Sequence, residues 1–368
     1  MTRRSATIRS NGWRAGALAT LMAAAAPTAV CAAQAAVQAA QAAQPAQAAK
    51  PAPRPDSYTA DTTYAKLARN YPFIRIASRE VPASVKAIEG LTYVQYGART
   101  LQLDLYLPAR QAAGPVPAAA PAMVLVHGGG WNAGLRTNLA PLAIRLAQRG
   151  YAAATITYRL APEAGFPAAV HDAKAAVRWV RAHAAEYGID PGRIAIGGGS
   201  AGGQIASLAG VTGNARIVDP AAAGGAAGNV SSAVQAIVNI DGLSDFTTPE
   251  ARKNEDDPTR QPTPAAAWLG GTYAGNEARW REASPTFYVS AATPPVLFIG
   301  SGQPRFAVGR EAMIEKMTAA GVPSKVVMMP DTPHSFWLFD PWLAPTVEAI
   351  AGFLDTHLRG GGGRIVSQ

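Results

Sequence analysis

The chain has little cysteine, charge or aromatic content, and each shortage excludes something. Cys31 is the one cysteine among 368 residues, so no internal disulfide framework can hold the fold. No His/Cys set has metal-ligand spacing and no phosphate-binding loop is recognisable, so neither a metal nor a cofactor is expected. Charged residues make up 15% and aromatics 7%. No basic cluster marks a nucleic-acid partner. Hydrophobic residues reach 48%, yet beyond the N-terminus no run is long and apolar enough to span a membrane, and no stable membrane insertion is expected. No internal repeat is visible. The length suits one large α/β domain or two small ones.

The net charge of +9 is partly a property of the N-terminus. Arg3, Arg4, Arg9 and Arg14 precede an apolar run of small residues, 15–30, which ends in Val30-Cys31-Ala32. This is the pattern of a secretory signal peptide, 1–32, and places the mature protein in the periplasm or outside the cell. Cleavage after Ala32 removes four arginines and no acid, lowering the charge from +9 to +5. Two other export readings fit less well. Thr28 to Cys31 resembles a lipoprotein box, with Val30 a poor residue before the cysteine, and Arg3-Arg4 opens a weak twin-arginine signal. Residues 33–55 are Ala, Gln and Pro with almost no charge, a disordered linker by composition. Residues 56–83 carry Tyr58, Tyr64, Tyr71 and Phe73 and read as an ordered N-terminal extension of no legible role. The main domain is 84–360, followed by a flexible tail, 361–368.

Within that domain, 88–96 and 100–107 alternate around Gly97-Ala98-Arg99 as an edge hairpin. The continuous apolar run 122–126 reads as a strand covered on both faces. Further strands are expected at 152–158, 193–197, 234–240, 296–300 and 325–329. Helices are expected at 139–149, 168–187, 309–320 and 345–358. The alternation predicts a mostly parallel central sheet with helices on both faces. Two inserts interrupt it. Residues 218–232 are Gly/Ala-rich and read as a surface loop. The insert 245–290 is rich in Pro and charge, with Trp268, Tyr273 and Trp280. It follows a strand at the edge where such sheets bind ligands, so a lid or substrate wall is expected there.

The chemistry lies at the strand ends. Gly198-Gly199-Ser200-Ala201-Gly202 follows a short apolar strand and opens a helix. A serine held at the tip of such a turn exposes its hydroxyl in a strained backbone conformation, and its neighbours two residues away must be glycine to avoid clashes. The helix behind it offers free N–H groups and a positive dipole end. His127-Gly128-Gly129-Gly130-Trp131 follows an earlier strand. Glycines there let backbone N–H groups turn inward to hold a developing oxyanion, and the expected donors are Gly129, Gly130 and Ala201. The chain has five histidines. His127 belongs to the glycine loop, His171 and His183 precede the serine within a helix, and His357 ends the last helix as a surface residue. His334, in the loop after the last strand, remains as general base. The acid is open. No carboxylate follows strand 296–300 before the next helix. Asp241, at the end of the strand before it, is favoured over Asp331, three residues ahead of His334; Asp245 is a third option. Tyr158, Arg159, Glu163 and Asp172 read as braces for these loops. Trp131 and Trp337 flank the site in sequence and are the candidates for stacking on a substrate.

With these two motifs, 88–358 resembles the α/β-hydrolase fold esterases that carry H-G-G-G-W, the hormone-sensitive-lipase-like and feruloyl-esterase-like groups. Trp268-Leu269-Gly270-Gly271-Thr272-Tyr273, Ser284-Pro285, Pro304-Arg305-Phe306 and Asp331-Thr332-Pro333-His334 are more particular. They resemble secreted bacterial acetyl-xylan or pectin acetylesterases. The resemblance implies a serine esterase acting on O-acetyl groups of plant polysaccharide. It also implies that the acid can sit one strand early, as in some lipases. A general short-chain carboxylesterase is the first alternative, an arylformamidase-like amide hydrolase another, and a binding protein on an inactive scaffold a third. The oligomeric state is not legible.

Overall fold

The structure, a computed structural model, describes residues 54–109, 119–213 and 230–360. The expected signal peptide with Cys31, nearly all of the linker, the tail and most of the Gly/Ala-rich insert lie outside the described residues.

The first α-helix among the described residues is α1, Ala60–Leu67, whose start is fixed by a reciprocal capping box between Thr59 and Thr62. A two-residue strand follows, β1, Arg75–Ile76. The hairpin is β2, Val85–Tyr96, and β3, Arg99–Pro108. Then come β4, Ala120–Val126; α2, Ala140–Gln148; β5, Ala152–Ile156; α3, Ala168–Ala182; and α4, Ala184–Tyr187. The helix expected over 168–187 is therefore two, broken at His183. Strand β6 is Ile189–Gly199, four residues longer at its start than the apolar run suggests. Helix α5 is Ala201–Thr212 and β7 is Ala236–Ile240. The insert holds three short helices, α6, Pro249–Glu255, α7, Pro264–Leu269, and α8, Glu277–Glu282. Strand β8, Val296–Ser301, α9, Arg310–Ala319, β9, Ser324–Met329, the short β10, Phe339–Asp340, and α10, Leu343–Leu358, complete the order.

Among the described residues the main sheet has eight strands in the order β2-β3-β5-β4-β6-β7-β8-β9. The β2–β3 and β3–β5 pairs are antiparallel and the rest parallel. Strand β4 explains why its sequence is apolar throughout. Val124 and Val126 join one core with α3 and α5, while Met123 and Leu125 join another with α2 and α10. All four are fully buried, and each such side chain contributes about 1.5–3 kcal/mol of transfer free energy. Alternation on a strand with two covered faces leaves no position for a polar residue. The parallel order brings the carboxyl ends of β4, β6, β7 and β8 side by side, which is where the motif residues are. A separate two-stranded ribbon pairs β1 with β10, Ile76 opposite Phe339, and ties the N-terminal extension to the segment after His334.

Candidate active site

Ser200 sits between β6 and α5 with φ 57° and ψ −126°. That left-handed conformation is unusual for a residue with a side chain and is held from outside. Its N–H donates to Ile240 O at 2.8 Å, at the end of neighbouring β7. A Cβ on Gly198 would lie 2.2 Å from Val126 O, and one on Gly202 would lie 2.0 Å from the same atom. The elbow is thus wedged against the end of β4, and both flanking glycines are sterically obligatory.

The structure brings three distant side chains into one line. The Ser200 hydroxyl is 2.8 Å from His334 Nε2. His334 Nδ1 is 3.0 Å from Asp241 Oδ2. Asp241 is buried at the end of β7 with φ 51°, and its Oδ1 accepts the Ser301 N–H at 2.8 Å. Ser301, at the end of β8 and next to the turn where the sequence lacks a carboxylate, therefore supplies a backbone donor to the carboxylate one strand over. Asp331 is exposed in its turn. Asp245 accepts from the N–H and hydroxyl of Thr247 and closes a local turn. Burial holds the His334 imidazole below its usual pKa, against the opposing pull of Asp241; the Arg305 charge lowers it further. The Phe306 ring stacks on His334, centroids 3.4 Å apart, and blocks one face.

The glycine loop is braced from beneath. His127 is buried, stacks on Tyr158 at 4.3 Å, and has Nδ1 2.8 Å from Gly128 O. The Tyr158 hydroxyl donates to His127 O. Desolvation pushes His127 down to about 4, so it is a neutral support. Gly129 O accepts from Asn132 and Ala133, while among the described residues no acceptor takes the N–H of Gly129 or Gly130. Ala201 opens α5, where an N–H has no helical partner. Gly130, Ala201 and Ser200 share the wall of one cavity of about 250 Å³. The half-buried Arg159 pairs at 2.7 Å with the buried Asp172, which also holds the Tyr96 hydroxyl, near the loop that donates the Ala161 N–H to Trp131 O.

The two tryptophans differ. Trp131 lines the cavity, donates to Gln204 Oε1 at 2.8 Å and stacks on Trp268. Trp337, expected at the substrate face, is 1% exposed and lies in the core. Its ring fills the space beside Gly199, where a Cβ would come within 2.4 Å, so it supports the elbow from behind and cannot stack on a substrate. Trp268 and Trp280 in the insert are likewise fully buried.

The insert expected as a lid or substrate wall lines the other side of the cavity, together with the Pro304-Arg305-Phe306 segment. Asn254, Glu255, Arg260, Thr263 and Pro264 from the insert face Arg305 and Phe306 across it. Glu255 pairs with Arg305 at 3.3 Å. Burial nevertheless raises its carboxyl above the usual range, while Arg305 and Arg260 pull the other way. No local signal singles out Asn254, Glu255, Arg260 or Thr263 within the insert, because they meet Arg305 only through the fold. Among the described residues no helix is long and apolar enough to cross a membrane, and no group of three or more His, Cys, Asp or Glu converges as metal ligands.

The chain is 34% identical over 206 residues to a probable carboxylic ester hydrolase, LipM, of Mycobacterium tuberculosis, covering 56% of this chain and 45% of the relative. Over three such curated esterases the chain spans 45%, 55% and 58% of their length. A truncated carbohydrate esterase from gut microbiota superposes with TM-score 0.62 at 24% identity, over 77% of this chain and all of that one, which shows the shared fold. The esterase Est2 of Thermogutta terrifontis, solved bound to propionate, superposes with TM-score 0.57 at 26% identity, covering 74% of this chain and 94% of that one. Residues 103–305, more than half the chain, match the BD-FAE family profile. The chain therefore belongs to the BD-FAE family of the α/β-hydrolase fold.

Proposed function

We propose that the protein is a secreted serine esterase that removes short acyl groups, most specifically O-acetyl groups of plant polysaccharide such as xylan or pectin. The observation that carries the esterase reading is the Ser200–His334–Asp241 line, with hydrogen bonds of 2.8 and 3.0 Å, opening into a cavity beside unpartnered backbone N–H groups. His334 Nε2 takes the Ser200 proton as Oγ attacks the ester carbonyl. Asp241 fixes the imidazole tautomer and stabilises the imidazolium. The N–H groups of Gly129, Gly130 and Ala201 receive the oxyanion, each worth about 3 kcal/mol in such sites. His334 returns the proton to the departing alcohol, and water, activated by the same imidazole, then hydrolyses the acyl-enzyme. Deacylation frees Ser200 for another cycle.

Three features favour a small acyl group on a polyhydroxylated alcohol. The cavity is small, about 250 Å³, near the lower bound for ligand sites. Its wall mixes donors and acceptors, Arg305, Arg260, Asn254, Glu255 and Thr263, which suits vicinal hydroxyl groups. Est2, a relative by structure, was solved with propionate. Secretion rests on the arginine-led apolar N-terminus. An organophosphonate should label the protein, and Ser200→Ala should abolish labelling and turnover. Acetate release from acetylated xylan or pectin, set beside p-nitrophenyl acetate hydrolysis, tests the substrate. Turnover of the small ester alone would leave a general short-chain carboxylesterase.

A further inference from the structure

Residues 54–77 cross the base of the site. Their contacts reach both loops that carry its chemistry. Resting on the reading of Ser200 as nucleophile and His334 as base, we propose that Tyr58 is a positioning residue whose hydroxyl, packed beside the oxyanion loop, holds the His334 loop in place.

The Tyr58 hydroxyl lies 2.8 Å from Ser335 Oγ, across 277 positions of sequence. Ser335 is buried and directly follows His334 in the left-handed conformation, φ 71°. A residue held there sets the direction in which the chain delivers the imidazole. On its other side the phenol borders Gly128. A Cβ at Gly128 would stand 3.5 Å from the Tyr58 hydroxyl and 3.2 Å from Ser200 Cβ. One hydroxyl thus lies beside the turn leading to Gly129 and Gly130 and is bonded to the turn leading out of His334. Desolvation pushes the phenol up to about 12, so it stays a neutral hydrogen-bonding group wherever His334 can act as a base.

The extension does not depend on that hydroxyl for its own place. Asn138 Nδ2 donates to Tyr58 O at 2.9 Å, and Gly134 N–H donates to Pro55 O at 2.8 Å. The Thr59–Thr62 capping box and the β1–β10 ribbon hold the rest. Removing the oxygen alone therefore loosens the base loop and leaves the strap docked. Small displacements of a catalytic group cost rate steeply, because the reacting atoms must meet within a few tenths of an ångström.

The test compares Tyr58→Phe, Ser335→Ala and the double variant in the full chain, on p-nitrophenyl acetate. Active sites are counted by organophosphonate titration. The expected result is a kcat per titrated site lower by about tenfold in each single variant, with KM within about twofold of wild type. The double variant should lose no more than either single one, because both remove the same bond. A merely structural role would lower the number of titratable sites and leave kcat per site unchanged. Tyr58→Phe at the wild-type kcat per site, or losses that multiply in the double variant, would overturn the proposal. A wild-type chain that neither labels nor turns over an ester would overturn the esterase reading first.

Discussion

Asp241→Asn removes one negative charge and preserves the volume of the side chain. On the proposed mechanism an imidazolium forms on His334, whose Nδ1 lies 3.0 Å from this carboxylate. With an effective dielectric of about 20, the attraction at that distance is about 5 kcal/mol, or roughly four powers of ten in rate. The amide adds a second fault. Ser301 N–H requires an acceptor, so the Asn oxygen will turn to it as Asp241 Oδ1 does, and the amide NH₂ then faces His334 Nδ1. A donor there selects the tautomer protonated on Nε2, which cannot accept the Ser200 proton. The expected loss in kcat on p-nitrophenyl acetate is about 10³–10⁴-fold, with the melting temperature nearly kept because the Ser301 N–H keeps its acceptor. Asp331→Asn, at an exposed turn position, should stay within about twofold of wild type. An Asp241→Asn enzyme retaining more than about a tenth of the activity, or an equal loss in Asp331→Asn, would refute the reasoning.

Three other outcomes are expected. Because burial lowers the His334 pKa, and the base works only when neutral, kcat/KM should rise with pH through a limb below the usual histidine value of 6.5; a limb above it would contradict the burial. His127 is held neutral down to about 4 when folded but protonates near 6.5 when unfolded. The unfolded chain binds the extra proton between those values, so stability is lost as pH falls through the window, by roughly 3 kcal/mol in all. Urea midpoints that stay level across that window would count against it. Gly202→Ala puts a methyl 2.0 Å from Val126 O, and backbone must move. Phosphonate labelling should be lost and the melting temperature should fall by about 5 °C or more, whereas wild-type labelling would show that the elbow is looser than described.

Much of the fold was legible because its signals are local. The buried strands read as apolar runs, and the two glycine motifs read as turns where side chains cannot fit. His334 could be reached by elimination among five histidines. Asp241 could only be favoured, since a carboxylate at a strand end looks like any other until Ser301 N–H and His334 Nδ1 meet it. What composition could not reveal was direction. Trp337 follows His334 by three residues, yet the left-handed Ser335 turns the chain so that the indole enters the core under Gly199. The extension 56–83 carried no motif, because its meaning lies in contacts with residues some 75 to 280 positions away. Glu255 and Arg305 are 50 positions apart, and no periodicity links them.

The carboxylate on β7 has a consequence for the turn after β8. The group that meets Asp241 at the end of β8 is the Ser301 amide, a backbone donor that any residue but proline provides. The turn's own side chains need supply no carboxylate, and Arg305, whose charge also lowers the His334 pKa, fronts the cavity. A substitution at Arg305 therefore alters the cavity wall and the charge near His334 together, while Asp241 keeps its Ser301 donor whatever side chain stands there.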